Sequence, residues 1–339
     1  MRGYSAPVRL DIDRGREELA FLLANDSDSF SRWDAGQELL GGAVLELAQA
    51  AATGGDMAVA PELIEAFRAV LNEEALDGSM LAVTLSVPSE RELILHMDTA
   101  DPSALRKARR YLIRSLALAL EPELQTLFDA NPVERPYSNS NASVDRRRAR
   151  NIALGYLCAT GAPANLELAE KQFEAADNMT DSEAALACLC NADVPAREAA
   201  LESFYETWHE DPLVIDKWFS LQARSTLDGA PARVEALASH PAFTALNPNR
   251  ARALIGAFAM DNLAGFHDPS GEGYRFLSDK VLEIDGKNPQ LASRLVSAFL
   301  SWRRFDGARQ GLMKGELERI SATEGLSKNT FEIVQKALA

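Results

Sequence analysis

The sequence predicts an all-α protein, an irregular α-solenoid of antiparallel helix pairs, and three observations carry that expectation. Apolar residues recur at three- and four-residue spacing almost without interruption from Arg14 to the C-terminus, which is the period of an amphipathic helix. The connections are short, with Ser, Asp, Asn and Pro in capping positions. Short connections force successive helices to pack antiparallel, and about fifteen to seventeen in succession without a strand exceed what a bundle or a globin needs. No fixed-period consensus of the tetratricopeptide or ankyrin kind is present, so the superhelix is expected to be HEAT- or armadillo-like, built from irregular pairs.

Only the opening differs. SAPVRLDID alternates in residue character and places Pro7 where a helix would break, so residues 1–12 are expected to end a β-strand and residues 13–339 to form the helical region. The first helix, over 17–25, presents Leu19, Leu22 and Leu23. A second, over 30–52, presents Trp33, Leu40, Val44, Leu47 and Ala51 on one stripe. Pro61 opens a third, which buries Leu63, Ile64, Phe67, Val70 and Leu71 and stops at Asp77-Gly78.

A short helix begins at Ser89. One continuous run over 102–128 then buries Leu105, Leu112, Leu116 and Leu120 while Lys107, Arg109 and Arg110 face solvent. Residues 130–142 (ANPVERPYSNSNA) hold two prolines in a Ser/Asn-rich stretch, the strongest linker signal in the chain, and an internal seam is expected there. Segments over 143–160, 165–176, 181–191, 195–210, 212–225 and 231–239 come next. The grammar continues through 249–260, 273–284, 288–300, 306–320 and 327–338.

Composition narrows the function classes. A hydrophobic content of 47% with 25% charged residues suits a folded, water-soluble chain. The formal net charge of −15 argues against nucleic acid and anionic membrane as partners, since both require a basic footprint. Cys158, Cys188 and Cys190 form an odd set without disulfide-framework spacing, so a reducing compartment, the cytoplasm, is expected. No apolar run reaches the roughly 20 residues that span a bilayer, and residues 1–12 lack a signal-peptide core.

No constellation for chemistry stands out. His96, His209, His240 and His267 lie on four separate segments, and none has the four-residue spacing of a helical zinc-protease motif. Cys188 and Cys190, two apart on a helix, diverge by about 200° and read as small buried hydrophobes. There is no GxSxG, GxxxxGK or strand-following GxGxxG, and GEGYRF at 271–276 is a glycine-rich approach to a helix. The segment from Asn247 to Leu295 holds more. NPNRARALIGAF and NPQLASRL each place Asn-Pro before a helix. Arg250 and Arg252 diverge, whereas Gln290 and Arg294 share a face. Such cations and an amide on a concave surface could hold a carboxylate; surface ion pairing is the plainer alternative.

RGYSAPVRL at 2–10, SFSRWDAGQELL at 29–40, EAFRAVL at 65–71, KQFEAADNMTDSEAAL at 171–186, DKWFSLQA at 216–223, NPNRARALIGAFA at 247–259 and NPQLASRL at 288–295 together resemble bacterial aminopeptidase N of the gluzincin type. The resemblance implies four domains: a β-saddle, a thermolysin-like zinc domain, a small β-sandwich and a C-terminal helical superhelix. This chain resembles the fourth, with residues 1–12 as the tail of the sandwich. The family's HExxH and GxMEN motifs have no counterpart here, so neither catalytic nor metal-binding residues are expected, and the zinc would belong to the parent enzyme.

By the same resemblance the domain caps the catalytic cleft, closing a chamber that admits peptides and excludes folded proteins. Gln290 would reach the rim of the pocket for the first side chain, and Arg252 and Arg294 would line the chamber towards the peptide's C-terminal side. The implied partners are the other domains of the same polypeptide and a peptide substrate. The competing reading is a freestanding helical-repeat scaffold that holds a protein partner along its concave face, which shares the fold but leaves the strand-like N-terminus without a purpose.

Overall fold

The computed structural model describes residues 12–73, 75–133 and 135–339; the strand expected over residues 1–12 falls outside them except for Ile12. The chain forms two compact units, Met1–Ser89 with Ala104–Leu189, and Glu90–Ser103 with Cys190–Ala339. The regular elements of the described residues are helices, as expected. The first five are α1 (Arg16–Asn25), α2 (Ser29–Thr53), α3 (Pro61–Leu71), α4 (Gly78–Thr84) and, in the second unit, α5 (Glu90–Leu93). They continue as α6 (Pro102–Ala119), α7 (Glu121–Ala130), α8 (Asn141–Ala159), α9 (Pro163–Ala175) and α10 (Met179–Cys190).

Local chemistry explains where these helices start and where two of them depart from expectation. The Asp28 carboxylate caps α2 by accepting from the Ser31 N–H at 2.8 Å, and Gly54 at φ 72° closes it. Asp77 starts a helix instead of stopping one: its carboxylate accepts from the Met80 N–H at 2.7 Å, which is the role of an N-cap. Gly78 is then required, because a Cβ there would lie 2.1 Å from the Asp145 carbonyl oxygen of α8. The expected run over 102–128 divides into α6 and α7, since Pro122 has no N–H for the preceding turn and sits instead near the start of a new helix.

The first unit buries Leu23, Leu40, Leu63, Phe67, Leu105 and Leu154. Tyr156 joins this core with its hydroxyl satisfied, donating to the Leu85 carbonyl at 2.6 Å, and burial pushes its pKa upward. α7 and α8, which flank the stretch read as a seam, both belong to this unit. Arg150 holds the two helices together by donating to the carbonyls of Phe128 and Asn131 at 3.0 and 3.2 Å, with its guanidinium 3.6 Å above the Phe128 ring. Lys107 and Arg110 face solvent, but Arg109 is half-buried and donates to the Pro88 and Val87 carbonyls at 2.9 and 3.1 Å.

The second unit continues with α11 (Pro195–Trp208), α12 (Pro212–Arg224), α13 (Ala230–Ala238), α14 (Pro248–Ala251), α15 (Ala257–Asp261) and α16 (Leu263–Phe266). It ends with α17 (Glu272–Asp285), α18 (Pro289–Val296), α19 (Gly307–Ser321) and α20 (Lys328–Leu338). Its core is aromatic: Phe266 packs edge-on against Phe258 at 5.8 Å and against Tyr274 at 5.2 Å, and Phe299 lies 6.0 Å away. The glycines of GEGYRF serve this packing. Gly271 takes φ 74° ahead of α17, and a Cβ on Gly273 would lie 2.4 Å from the Phe266 carbonyl oxygen.

Buried polar groups tie the elements of this unit. Asp285, at the end of α17, accepts from the Ser327 N–H and hydroxyl at 2.7 and 2.6 Å, at the cap of α20. The excursion 90–103 is fixed by a bridge between Ala100 and Phe305, with the Ala100 N–H donating to the Arg304 carbonyl at 2.7 Å. Arg304 in turn donates to the Leu95 carbonyl at 2.8 Å. Among the described residues no helix is long and apolar enough to cross a membrane.

Candidate functional site

Asn247 caps the first Asn-Pro helix, accepting from the N–H groups of Asn249 and Arg250 at 3.0 and 3.4 Å, with Pro248 in the first turn. The helix does not run regularly. It passes from α14 through a π-helical turn, Arg252–Gly256, into α15. Such wide turns occur frequently at functional sites, and no residue pattern in the sequence announced this one.

The two arginines diverge as their spacing requires. Arg250 is buried: its Nε donates to the Asp216 carboxylate, its Nη groups donate to the carbonyls of Ala242 and Pro212, and its guanidinium lies 5.2 Å from the Phe219 ring centroid. Arg252 is exposed and donates to the Asn249 side-chain oxygen at 2.5 Å. The ion-pairing alternative therefore describes Arg250, which sequence reasoning left unassigned, and among the described residues Arg252 holds no salt bridge.

Asn288 caps α18, accepting from the Leu291 N–H at 3.1 Å, and Pro289 occupies its first turn. Leu291, Ala292, Leu295 and Val296 are buried, which leaves Gln290 and Arg294 exposed together on the opposite edge. Neither side chain has an ion-pair or hydrogen-bond partner among the described residues. An arginine that spends no charge internally, in a chain of net charge −15, is available to an external carboxylate. Arg252 stands on a different helix from this pair, one packed on α12 and α13, while α18 packs on α17 and α20.

Two of the four histidines, His240 and His267, are built into the packing. His267 is buried, with Nδ1 2.9 Å from the Tyr274 hydroxyl and its ring stacked 4.0 Å from Phe305. Burial, reinforced by the Arg309 charge, pushes its pKa down to about 3, so the ring is neutral. His240 Nδ1 accepts from the Ala242 N–H at 3.1 Å, and burial followed by the Arg250 charge lowers its pKa. His209 Nδ1 lies 2.9 Å from the Glu206 carbonyl, and His96 is exposed. These imidazoles do not fit a zinc site, and among the described residues no three His, Cys, Asp or Glu groups are placed to hold a metal.

Cys190 is buried and Cys188 partly so, and none of the three cysteines is in a disulfide. Sequence reasoning missed that Cys158 and Cys188 meet. Their hydrogen bond, and then burial, push the Cys158 thiol pKa far upward.

Comparison with known proteins bears on the whole chain. A family profile described as a domain of unknown function (DUF3458_C) with ARM repeats matches residues 16–339. Aminopeptidase N of Escherichia coli is 38% identical over 336 residues, which are 99% of this chain and 38% of the relative. Aminopeptidase N of Caulobacter vibrioides is 40% identical over 338 residues, 100% of this chain and 39% of the relative. Among solved structures, Legionella pneumophila aminopeptidase A in complex with aspartic acid superposes with a TM-score of 0.89 at 28% identity, covering 99% of this chain and 40% of that one. The chain thus spans about two fifths of the length of the curated relatives it matches. It belongs to the DUF3458_C ARM-repeat family, as a C-terminal helical domain of the aminopeptidase N type.

Proposed function

We propose that this chain is the non-catalytic helical wall of a closed peptide chamber in a zinc aminopeptidase that removes N-terminal residues from peptides in the cytoplasm. The observation that carries the reading is that similarity to aminopeptidase N runs the full length of the chain yet occupies about two fifths of those relatives. The remaining domains of the same polypeptide are then its partners. Zinc and the water it activates belong to them, and this chain's residues position the peptide and exclude bulk solvent.

Arg252 and Arg294 hold the C-terminal side of the peptide, and Gln290 borders the pocket for its first side chain. Their exposure, and the lack of an internal partner for Arg294 among the described residues, supports this assignment. Restricted access to the chamber makes size the first criterion of selection. The reading is tested by the reading frame that encodes residue 1: upstream of it, in frame, an HExxH segment is expected. A frame that begins at residue 1 or carries an unrelated domain contradicts the peptidase reading and favours a freestanding scaffold.

A further inference from the structure

Within the second unit a cavity of about 210 Å³ lies beside the bridge between Ala100 and Phe305. Leu95, Met260, Leu263 and Phe305 form apolar walls, and Arg91 and Arg304 are among its lining residues, which include no Asp or Glu. Two stripes lead into it. Ser297 and Ala298, also in its lining, stand one turn beyond Arg294 and two beyond Gln290 on the same edge. Ala259 and Met260 stand about two turns beyond Arg252 on the continuous helix through the π turn. The two helices that carry the exposed Arg252, Gln290 and Arg294 thus both contribute their later turns to one cavity.

We propose that this cavity is a second peptide subsite that takes an apolar side chain together with a free α-carboxylate. This rests on the chamber reading above and extends it to residues that reading leaves unused. Size selects the ligand class: the volume falls below the roughly 300 Å³ at which pockets begin to enclose whole small molecules, so one side chain is the natural occupant. Charge selects the end of the peptide. Arg91 is exposed on 68% of its side chain and only loosely paired, at 4.0 Å, to Asp261. The same Asp261 is already bonded by Arg224 at 2.9 Å. Arg304 is held in place by the carbonyls of the 90–103 excursion, which oppose it with dipoles but no negative charge. His267 also lines the cavity and stays neutral, so it adds breadth to the apolar wall without competing for an anion. A terminal carboxylate meets this excess of guanidinium at the mouth while its side chain leaves water.

The test is binding of N-acetyl-Leu-Phe, as free acid and as amide, to the intact protein by titration calorimetry. Neither probe has a free amine, so the measurement is independent of turnover. The free acid is expected to bind at least about tenfold more tightly than the amide. Arg91→Gln should abolish that preference, and Ala298→Phe, which fills the cavity, should weaken both probes by about tenfold or more. Equal binding of acid and amide, no binding of the acid at millimolar concentration, or binding unchanged by Ala298→Phe would overturn the subsite. Those outcomes leave the chamber reading standing, since that reading rests on the full-length similarity to aminopeptidase N and is tested separately by the turnover kinetics of Arg252 and Arg294 variants. Conversely, unaltered kinetics in those variants would remove the chamber reading without touching the titration result.

Discussion

Arg250 and Asp216 form a buried ion pair that fastens the first Asn-Pro helix to α12, with 8% and 15% of the two side chains exposed. Two residues on, Arg252 projects into solvent. The contrast gives opposite expectations for the same substitution. Arg250→Ala leaves Asp216 and the Ala242 carbonyl without their donors and should cost about 3 to 5 kcal/mol. Arg252→Ala should stay within about 0.5 kcal/mol. Urea unfolding of the two variants beside the unsubstituted protein measures both, and equal losses would contradict the assignment of roles.

His267 makes stability depend on pH. Its folded-state pKa is about 3, below the ordinary value near 6.5, so between those values the unfolded chain binds the proton and the folded one does not. The stabilisation is therefore complete above about pH 6.5 and is lost as pH falls towards 3, at no more than about 1.4 kcal/mol per unit. Thermal midpoints from pH 7 to 4 should fall less steeply in His267→Gln than in the unsubstituted protein. The slope that remains near pH 4 belongs to carboxylates such as Asp306, where burial is outweighed by the Arg309 hydrogen bond and the pKa is lowered.

Gly273 should not tolerate even a methyl group. Its missing Cβ would stand 2.4 Å from the Phe266 carbonyl oxygen, and backbone cannot rotate away as a side chain can. Gly273→Ala should destabilise by about 1 to 3 kcal/mol despite the higher helix propensity of alanine. An unchanged or raised melting midpoint would show that α17 slides to accommodate it.

Trp218 and Trp33 differ in burial. Trp218 is 7% exposed and donates from Nε1 to the Leu201 carbonyl at 2.9 Å, so Trp218→Ala should cost about 3 to 5 kcal/mol. Trp33 is half-buried against Phe30, with ring centroids 5.4 Å apart, and its removal should cost clearly less. Denaturant midpoints rank the pair.

Periodicity made the helices legible because each depends on its own apolar stripe: the faces of Leu63, Phe67 and Val70 in α3, or Leu105, Leu112 and Leu116 in α6, are buried as spaced. Capping was legible in kind and ambiguous in direction. Asp77-Gly78 reads as a stop, yet the carboxylate caps α4, and only the close approach of Asp145 shows why glycine stands there. The π turn at Arg252–Gly256 left no distinctive residue signature, since Arg252, Ala253, Leu254 and Ile255 are all compatible with an ordinary helix and a lone glycine such as Gly256 is tolerated in one.

At the site, spacing alone separated Arg250 from Arg252 and joined Gln290 to Arg294. Spacing could not supply their partners. Asp216 lies 34 residues from Arg250 and Asp285 lies 42 from Ser327, and such pairings are set by packing between helices. The cavity beside Ala100 and Phe305 depends on the 90–103 excursion joining the second unit, which no local pattern discloses.

Steady-state hydrolysis by the intact enzyme, comparing peptides with a free C-terminal carboxylate against their amides, tests the chamber reading most directly. Arg252→Ala and Arg294→Ala should each raise KM for the free acids by about 1.5 to 3 kcal/mol of lost binding where the contact is sheltered, while the amides change little. Gln290→Ala should reorder preference among first residues. Equal effects on acids and amides would remove the carboxylate role, and kinetics indistinguishable from the unsubstituted enzyme in all three variants would contradict the placement of this face at the peptide.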